Sequence, residues 1–507
     1  MANNREIIRG VYHALSRTGS TWLNDETITD TAKKLGVTKD AILNANGIVK
    51  YQGMCTTREI ADAENNIAIN LMSLSRLHRP KQVDDALIRH LVQKFEVEEN
   101  GGYKLHYHQV DAVIMVVNSS FSVLTGGPGT GKTTVLRCIA YVLRALYPEI
   151  SIAYTAPTGK AARRITESTG EYACTGHKKL GLGRDGQKTQ VQKITERVLF
   201  MDESSMNDIW LTSALSMAIE GDRRLVFVGD VDQLPSVGLG AVLRDLIASK
   251  VIPVTMLTHT FRQDNESTLF ANICQVRAGK DELIKGNDFN PILLKDGDVG
   301  QLCIDTILEQ YADAIEKYGV EQVVCLLPYR RSGICSNLLN NQIQAMVNKE
   351  SFGYVHTDAD NNKRIFKLGD PVMQLVNRPE CANGDVGKVI EVSKEGVSVE
   401  YTDCVVEYAP EDLNELSLAY AMSIHKSQGS EYACVIMALL DDHKAMLQRN
   451  LVYTGITRAK KECVMIYQKK ALETAVTTIA EKNRITLLAE KLRSISAKYL
   501  YAYGLAS

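Results

Sequence analysis

The run Gly126-Gly127-Pro128-Gly129-Thr130-Gly131-Lys132-Thr133 constrains this chain more than any other feature. It directly follows the apolar stretch Phe121–Thr125 and precedes a helical pattern through Val135, Ile139 and Leu143. A strand, a glycine-rich turn and a helix in that order make a phosphate loop. Glycines let backbone N–H groups approach and wrap phosphate oxygens, and the helix N-terminus adds positive potential. Lys132 would reach the β- and γ-oxygens, the Thr133 hydroxyl would ligate Mg²⁺, and Thr134 closes the site. Ordinary residue frequencies give such a pattern by chance in about 0.02 of chains this long. Gly387-Lys388 is a decoy with the wrong spacing, and Val389 after it offers no hydroxyl.

The surroundings extend this reading. Ile152–Ala156, Val198–Met201, Leu225–Val228 and Val254–Leu257 are unbroken rather than alternating apolar runs, so they predict strands buried on both faces of a parallel sheet. The rhythm returns after residue 259 with Val323–Leu327, Cys434–Ala438 and Cys463–Tyr467, without a second glycine-rich loop. Asp202 and Glu203 close one strand, which brings both carboxylates to the C-terminal sheet edge where open α/β sheets bind ligands. Asp202 suits the Mg²⁺ shell, and Glu203 suits polarising an attacking water. Gln233, in GDVDQLPSVGLG (229–240), is placed to read a γ-phosphate, and Gln109 to read an adenine edge. One nucleotide held between two lobes needs groups from the lobe lacking the loop. Arg458 in LVYTGITRA (451–459) and Arg262 in HTFRQ (259–263) are the candidate fingers. Such arginines contribute roughly 10³–10⁵ in rate. A lobe that closes on ATP and relaxes after hydrolysis follows the cycle of a motor.

Length predicts three or four domains in 507 residues. Residues 1–98 read as a helical bundle: Asn24 caps a helix that Gly36 ends, Thr38 caps the next, and longer helices cover 58–77 and 82–95. Residues 99–258 form the first lobe, with a short hairpin or loop near 180–196. Residues 259–351 and 421–470 form the second lobe. Between them, 352–420 carries short strands at 372–375, 386–392, 397–401 and 404–408 with turn signals, an inserted small β-barrel. Residues 471–507 are a helical tail whose basic surplus fits either a solvated face or a nucleic-acid contact. A net charge of −2 excludes a polycationic coat but leaves room for a local basic groove. The eleven cysteines, none closer than Cys325 and Cys335, exclude zinc-finger and iron–sulfur spacings and suit reduced thiols. MANNREIIRG lacks the apolar core of a leader, and no run reaches the ~18–20 apolar residues of a membrane span. The expectation is a soluble cytoplasmic protein without membrane partners, in the host cytoplasm if a phage encodes it.

Nine blocks carry a resemblance: GGPGTGKTT (126–134), APTGKAARRI (156–165), TGHKKLG (175–181), MDESSM (201–206), GDVDQLPSVGLGAVLRDL (229–246), FRQ (261–263), LPYRRSGICSNLLNNQIQ (327–344), AYAMSIHKSQGSE (419–431) and VYTGITRA (452–459). In that order they resemble a RecD-like superfamily 1 DNA helicase of the 5′–3′ subgroup, the stand-alone type with an N-terminal helical region. The resemblance implies an α/β fold of tandem RecA-like P-loop NTPase domains, an N-terminal helical bundle and an inserted small SH3-like β-barrel. It implies ATP-driven 5′–3′ translocation on single-stranded DNA with duplex unwinding, in replication, recombination or repair. Pro157, Thr158, Thr175, His177, Arg330, Ser423, His425 and Lys426 would line the strand, holding phosphates without reading sequence. Gln428, Gly429 and Glu431 would contact the nucleotide. Single-stranded DNA, its junctions with duplex, and single-stranded-DNA-binding or replication and repair proteins are the implied partners. Ser423 stands where threonine is commoner and Gly455 where alanine is usual. The motifs leave open an RNA-directed motor and an ATP-gated subunit of a larger repair complex. They also leave open whether 180–196 is a strand-separating pin or a plain surface loop. A static switch has no need of two fingers and a sensor.

Overall fold

The computed structural model describes residues 2–182, 191–261, 267–295, 300–329, 333–357, 363–402, 404–479 and 483–502. Unbroken apolar runs become strands covered on both faces. Phe121–Gly126, Val198–Met201 and Arg224–Gly229 are buried along their whole length. They lie in a six-stranded, all-parallel sheet whose spatial order is Ala173–Thr175, Ile152–Ala156, Val198–Met201, Arg224–Gly229, Phe121–Gly126 and Val254–Leu257. The second sheet is also parallel, with five strands in the order Ala421–Ser423, Val323–Leu327, Tyr432–Leu439, Ala459–Gln468 and Phe289–Leu294. The expected pair of tandem parallel α/β lobes is thus present.

The insert is antiparallel. Val405–Tyr408, Val397–Glu400, Val386–Val392, Pro371–Gln374 and Leu416–Leu418 form one five-stranded sheet, joined by the hairpin Gly353–Thr357 and Lys363–Lys367. Half-buried antiparallel strands alternate, and Val397 and Val399 point inward while Glu400 is exposed. This sheet does not keep a core of its own. Val372, Val389 and Val399 share one apolar cluster with Ile307, Tyr311 and Cys325 of the second lobe. Asn340 ties the seam by donating to the carbonyls of Leu418 and Ala421 at 3.0 and 2.9 Å. The insert is therefore fused to its lobe rather than hung from it.

Near the N-terminus, Asn24, Gly36 and Thr38 act as helix caps, as their residue types demand. The hairpin Ile48–Tyr51 with Met54–Thr57 is not anticipated by the helical reading of 1–98. It turns through Gln52 and Gly53 at φ 48° and 79°, the double positive φ that two-residue hairpin turns use. Packing also runs across the expected boundaries. Ile88, Val92 and Phe95 of helix Asp85–Glu98 join Leu136, Ile139 and Leu143 in the first lobe's core. At the other end, helix Leu488–Ala502 leaves the second lobe and packs on helices Arg58–Leu77 and Val242–Ser249. Buried Glu64 locks that union, accepting from Thr21 at 2.6 Å and Trp22 at 2.9 Å and pairing with Lys491 at 3.0 Å.

Candidate nucleotide site between the lobes

The phosphate loop takes its shape from glycines at positive φ: Gly129 at 72° and Gly131 at 77°. Gly131 caps helix Lys132–Leu146 with no side-chain hydrogen bond, which leaves first-turn N–H groups turned to the loop. Thr130 Oγ1 donates to the Gly127 carbonyl at 2.8 Å and braces the turn. The Lys132 ammonium donates to the carbonyls of Gly126 and Gly127 at 2.7 and 3.0 Å, so the cation is held over the loop it serves. Beside it lies a cavity of about 210 Å³, lined by Pro128–Thr133, Arg164, Asp202, Glu203 and Gln233 from the first lobe. Gly429, Glu431 and Arg458 from the second lobe close it. A larger cavity, about 770 Å³, lies among Trp22, Tyr51, Ile69 and Ile495, away from the glycine loop and the paired carboxylates.

Asp202 and Glu203 leave the sheet where a strand ends. The Asp202 N–H donates to Thr155 O at 2.8 Å, and the Glu203 N–H donates to Asp202 Oδ1 at 2.8 Å. Glu203 sits at φ 48°, a left-handed conformation that a residue with Cβ rarely adopts, and such strain concentrates at functional sites. Burial, and then Glu203 beside it, pushes the Asp202 carboxyl above the usual carboxylate range. A hard cation reverses that effect by favouring the ionised form.

The second lobe delivers its groups from helix Arg449–Ile456 and the turn after it. Arg458 is 3% exposed, and its guanidinium donates to Thr454 O at 3.1 Å and Ser430 O at 3.2 Å. Burial lowers its pKa, against the pull of Glu203 and Glu431. The guanidinium stays charged because its reference value lies so far above neutrality. Arg164 meets Glu431 across the cleft at 2.6 Å, and Lys460 reaches the same carboxylate at 3.5 Å. Burial works against the Arg164 charge, but Glu431 overrides it and raises the pKa.

Two glutamines are held by protein groups. Gln109 Nε2 donates to Thr130 O at 3.0 Å and its Oε1 accepts from the His106 N–H at 2.9 Å. It braces the phosphate loop with one of its amide N–H groups. Gln428 stands outside the cavity lining and donates to Leu234 O at 3.2 Å. Gln233 does line the cavity. Arg262 and Arg330 lie outside the described residues, as do 183–190 of the expected hairpin.

The residues expected to meet a strand gather at the two C-terminal sheet edges. Pro157 and Thr158 follow Ile152–Ala156, and Thr175 ends the neighbouring strand, paired with Ala156. Thr158 and Thr175 accept from the N–H groups of Ala161 and Lys178 at 3.2 and 3.1 Å, capping short helices, while His177 is exposed. On the other lobe Ser423 pairs with Leu327, and the single turn Ile424–Ser427 presents His425 and Lys426. Burial lowers the His425 pKa, so this ring is neutral at neutral pH. The insert leans over the same ground. Lys426 donates to Asn383 Oδ1 at 2.7 Å, Arg163 meets Asp385 at 3.4 Å, and Gly159 abuts Ala382 so closely that a Cβ there would collide.

Sequence reasoning passed over Arg164, Asp230, Asn450, Tyr453 and Thr454. Asp230 precedes Gln233 in a quoted block, and the other four lie in quoted blocks or one residue outside them. Residue type alone gave no sign that tertiary packing would turn them to the cleft.

Two protein families match: an AAA domain over residues 109–239 and a UvrD-like helicase C-terminal domain over 418–466. The chain is similar to the ATP-dependent RecD2 DNA helicase of Deinococcus radiodurans, 31% identical over 398 residues, covering 77% of this chain and 53% of that protein. It is also similar to the RecD subunit of the RecBCD enzyme of Mycolicibacterium smegmatis, 29% identical over 423 residues and covering 75% and 74%. The chain therefore spans about half the length of its RecD2 relative and three quarters of the RecD subunit. Among solved structures, a Pif1 helicase from Bacteroides in complex with ADP-AlF3 and ssDNA is 17% identical with a TM-score of 0.46, covering 72% of this chain and 92% of that one.

Proposed function

We propose that the chain, which is similar to RecD2 and RecD helicases, is an ATP-dependent superfamily 1 DNA helicase moving 5′ to 3′ on single-stranded DNA and opening duplex ahead of it. One observation carries the reading. A phosphate loop from one lobe and a buried arginine from the other line a single cavity, so hydrolysis there must change how the lobes meet.

In this reading the loop N–H groups and Lys132 bind the β- and γ-phosphates. Glu203, at the strand end beside them, takes the proton of the attacking water. Arg458 neutralises charge developing on the transferred phosphoryl group. Gln233 senses the γ-phosphate from its lobe-one turn. Thr133 and Asp202, a hydroxyl and a carboxylate on one cavity wall, fit a hard divalent cation, and Mg²⁺ held there would neutralise phosphate charge. Gly429 and Glu431 complete the nucleotide's second-lobe wall.

Pro157, Thr158, Thr175, His177, Ser423, His425 and Lys426 form the strand track, with Arg330 assigned by resemblance. Hydroxyls, a neutral imidazole and few cations suit a track that must release phosphates at each step. The SH3-like character of the insert, its role beside the strand, and the domain limits given above belong to the same proposal. So do the protein partners, single-stranded-DNA-binding or replication and repair proteins.

The test is ATPase stimulation by single-stranded DNA against RNA, together with unwinding of 5′- and 3′-tailed duplexes. Stimulation by DNA and opening of the 5′-tailed substrate is the expected result. Preference for RNA, or opening only from a 3′ tail, overturns it.

A further inference from the structure

The turn that carries Gln233 is held from the opposite lobe. Tyr453 Oη donates to Asp230 Oδ2 at 2.9 Å, and the Leu234 N–H donates to Thr454 Oγ1 at 2.9 Å. Asn450 Nδ2 donates to Gln233 O at 3.0 Å, and Gln428 adds its bond to Leu234 O at 3.2 Å. Four second-lobe side chains thus converge on residues 230–234, and all four are buried. Buried polar groups with satisfied partners fix one geometry, because water cannot replace a lost partner.

Asp230 is the pivot. Its Oδ1 accepts from the Asp232 N–H at 3.0 Å, and its Oδ2 receives both the Tyr453 hydroxyl and, at 3.4 Å, the Gln233 amide. Tyr453 also overhangs the phosphate loop, its hydroxyl 3.1 Å from where a Cβ on Gly127 would stand. Burial first, and then the Asp230 charge, keeps this phenol protonated and therefore a donor.

We infer that Tyr453 is a positioning residue for Gln233: a second-lobe hydroxyl that sets Asp230 and thereby aims the sensor amide into the cavity. The inference rests on the helicase reading above. It makes the sensor answer to lobe position as well as to the nucleotide, since any rotation of helix Arg449–Ile456 moves Asp230 with it.

The test uses the full chain with Tyr453→Phe, which keeps the ring and removes the hydroxyl. A misaimed catalytic group costs on the order of 10²-fold, so kcat for DNA-stimulated ATP hydrolysis should fall about 10- to 100-fold. KM for ATP and the affinity for a fluorescent methylanthraniloyl-ADP should stay within about threefold. Thr454→Val and Asn450→Ala act on the same turn and should show the same split more weakly. Wild-type kcat in Tyr453→Phe, or kcat and ADP affinity falling together, overturns the inference. Should Tyr453→Phe fail to fold, the other two variants decide by the same split. A wild-type chain with no DNA-stimulated hydrolysis instead removes the helicase reading itself.

Discussion

The two parallel sheets are built alike and do unlike work. In the first, strand Phe121–Gly126 runs into glycines at positive φ and then into a helix, so the sheet edge ends in backbone N–H groups. In the second, strand Val323–Leu327 runs into Pro328 and Tyr329, and the sequence that follows carries no glycine-rich run like 126–131. What that lobe offers is side chains: buried Arg458 and half-buried Glu431 line the shared cavity, and buried Tyr453 reaches Asp230 of the other lobe. In the proposed function, the difference teaches that one architecture grips or triggers according to the few residues joining a strand to the next element.

That division of labour can be broken from either side. The largest effect belongs to the gripping lobe. Lys132→Ala should lose both methylanthraniloyl-ADP binding and more than about 10³-fold of ATPase activity, while Glu203→Gln should lose turnover alone. Next comes the triggering lobe: Arg458→Ala should bind the same nucleotide normally and lose about 10³-fold in kcat. Equal binding defects in Lys132→Ala and Arg458→Ala would erase the distinction. The interlobe pair is intermediate. Arg164→Gln removes the 2.6 Å contact with Glu431, and kcat should fall about tenfold with a raised KM, read in steady-state assays.

The insert tests the comparison more gently. Asp385→Asn weakens the contact with Arg163 across the cleft, and unwinding of a 5′-tailed duplex should fall severalfold while ATPase activity holds. Removal of 352–420 is a poor substitute, because it would open the cluster that Val372 and Val389 share with Tyr311. The smallest effect is on stability against pH. Burial lowers the pKa of His443 from 6.5, with Nδ1 accepting from the Leu440 N–H at 3.2 Å. Below about pH 6.5 the unfolded chain takes up a proton that the folded one refuses, so stability falls as pH drops from there through the folded pKa. Thermal melts of His443→Gln should show a flatter acid limb than the parent.

How much of this was legible depends on the quantity each signal measures. Periodicity reports burial of a strand or a helix face, and it located five of the six strands of the first sheet and three of the five of the second, passing over Ala173–Thr175, Phe289–Leu294 and Ala421–Ser423, while residue type located the caps at Asn24 and Thr38. It missed the hairpin at 48–57, whose strands are four residues each and whose only sign was Gln52-Gly53. It could not show that helix Asp85–Glu98 packs into the first lobe, or that helix Leu488–Ala502 returns to the N-terminal region, because an amphipathic pattern names a face and not its partner. Gln109 shows the same limit at the site. Its place before the loop suggested a base contact, and only the fold shows that it also bridges His106 and the phosphate loop.

The sequence by itself determined the phosphate loop, the paired carboxylates and the absence of a second loop, since each depends on local backbone chemistry. Only the tertiary structure decided that Arg458 shares a cavity with Lys132, that Arg164 finds Glu431, and that Tyr453 finds Asp230. Those pairings join residues more than two hundred positions apart. Their geometry is set by how two separately folded sheets pack, and no local pattern encodes that.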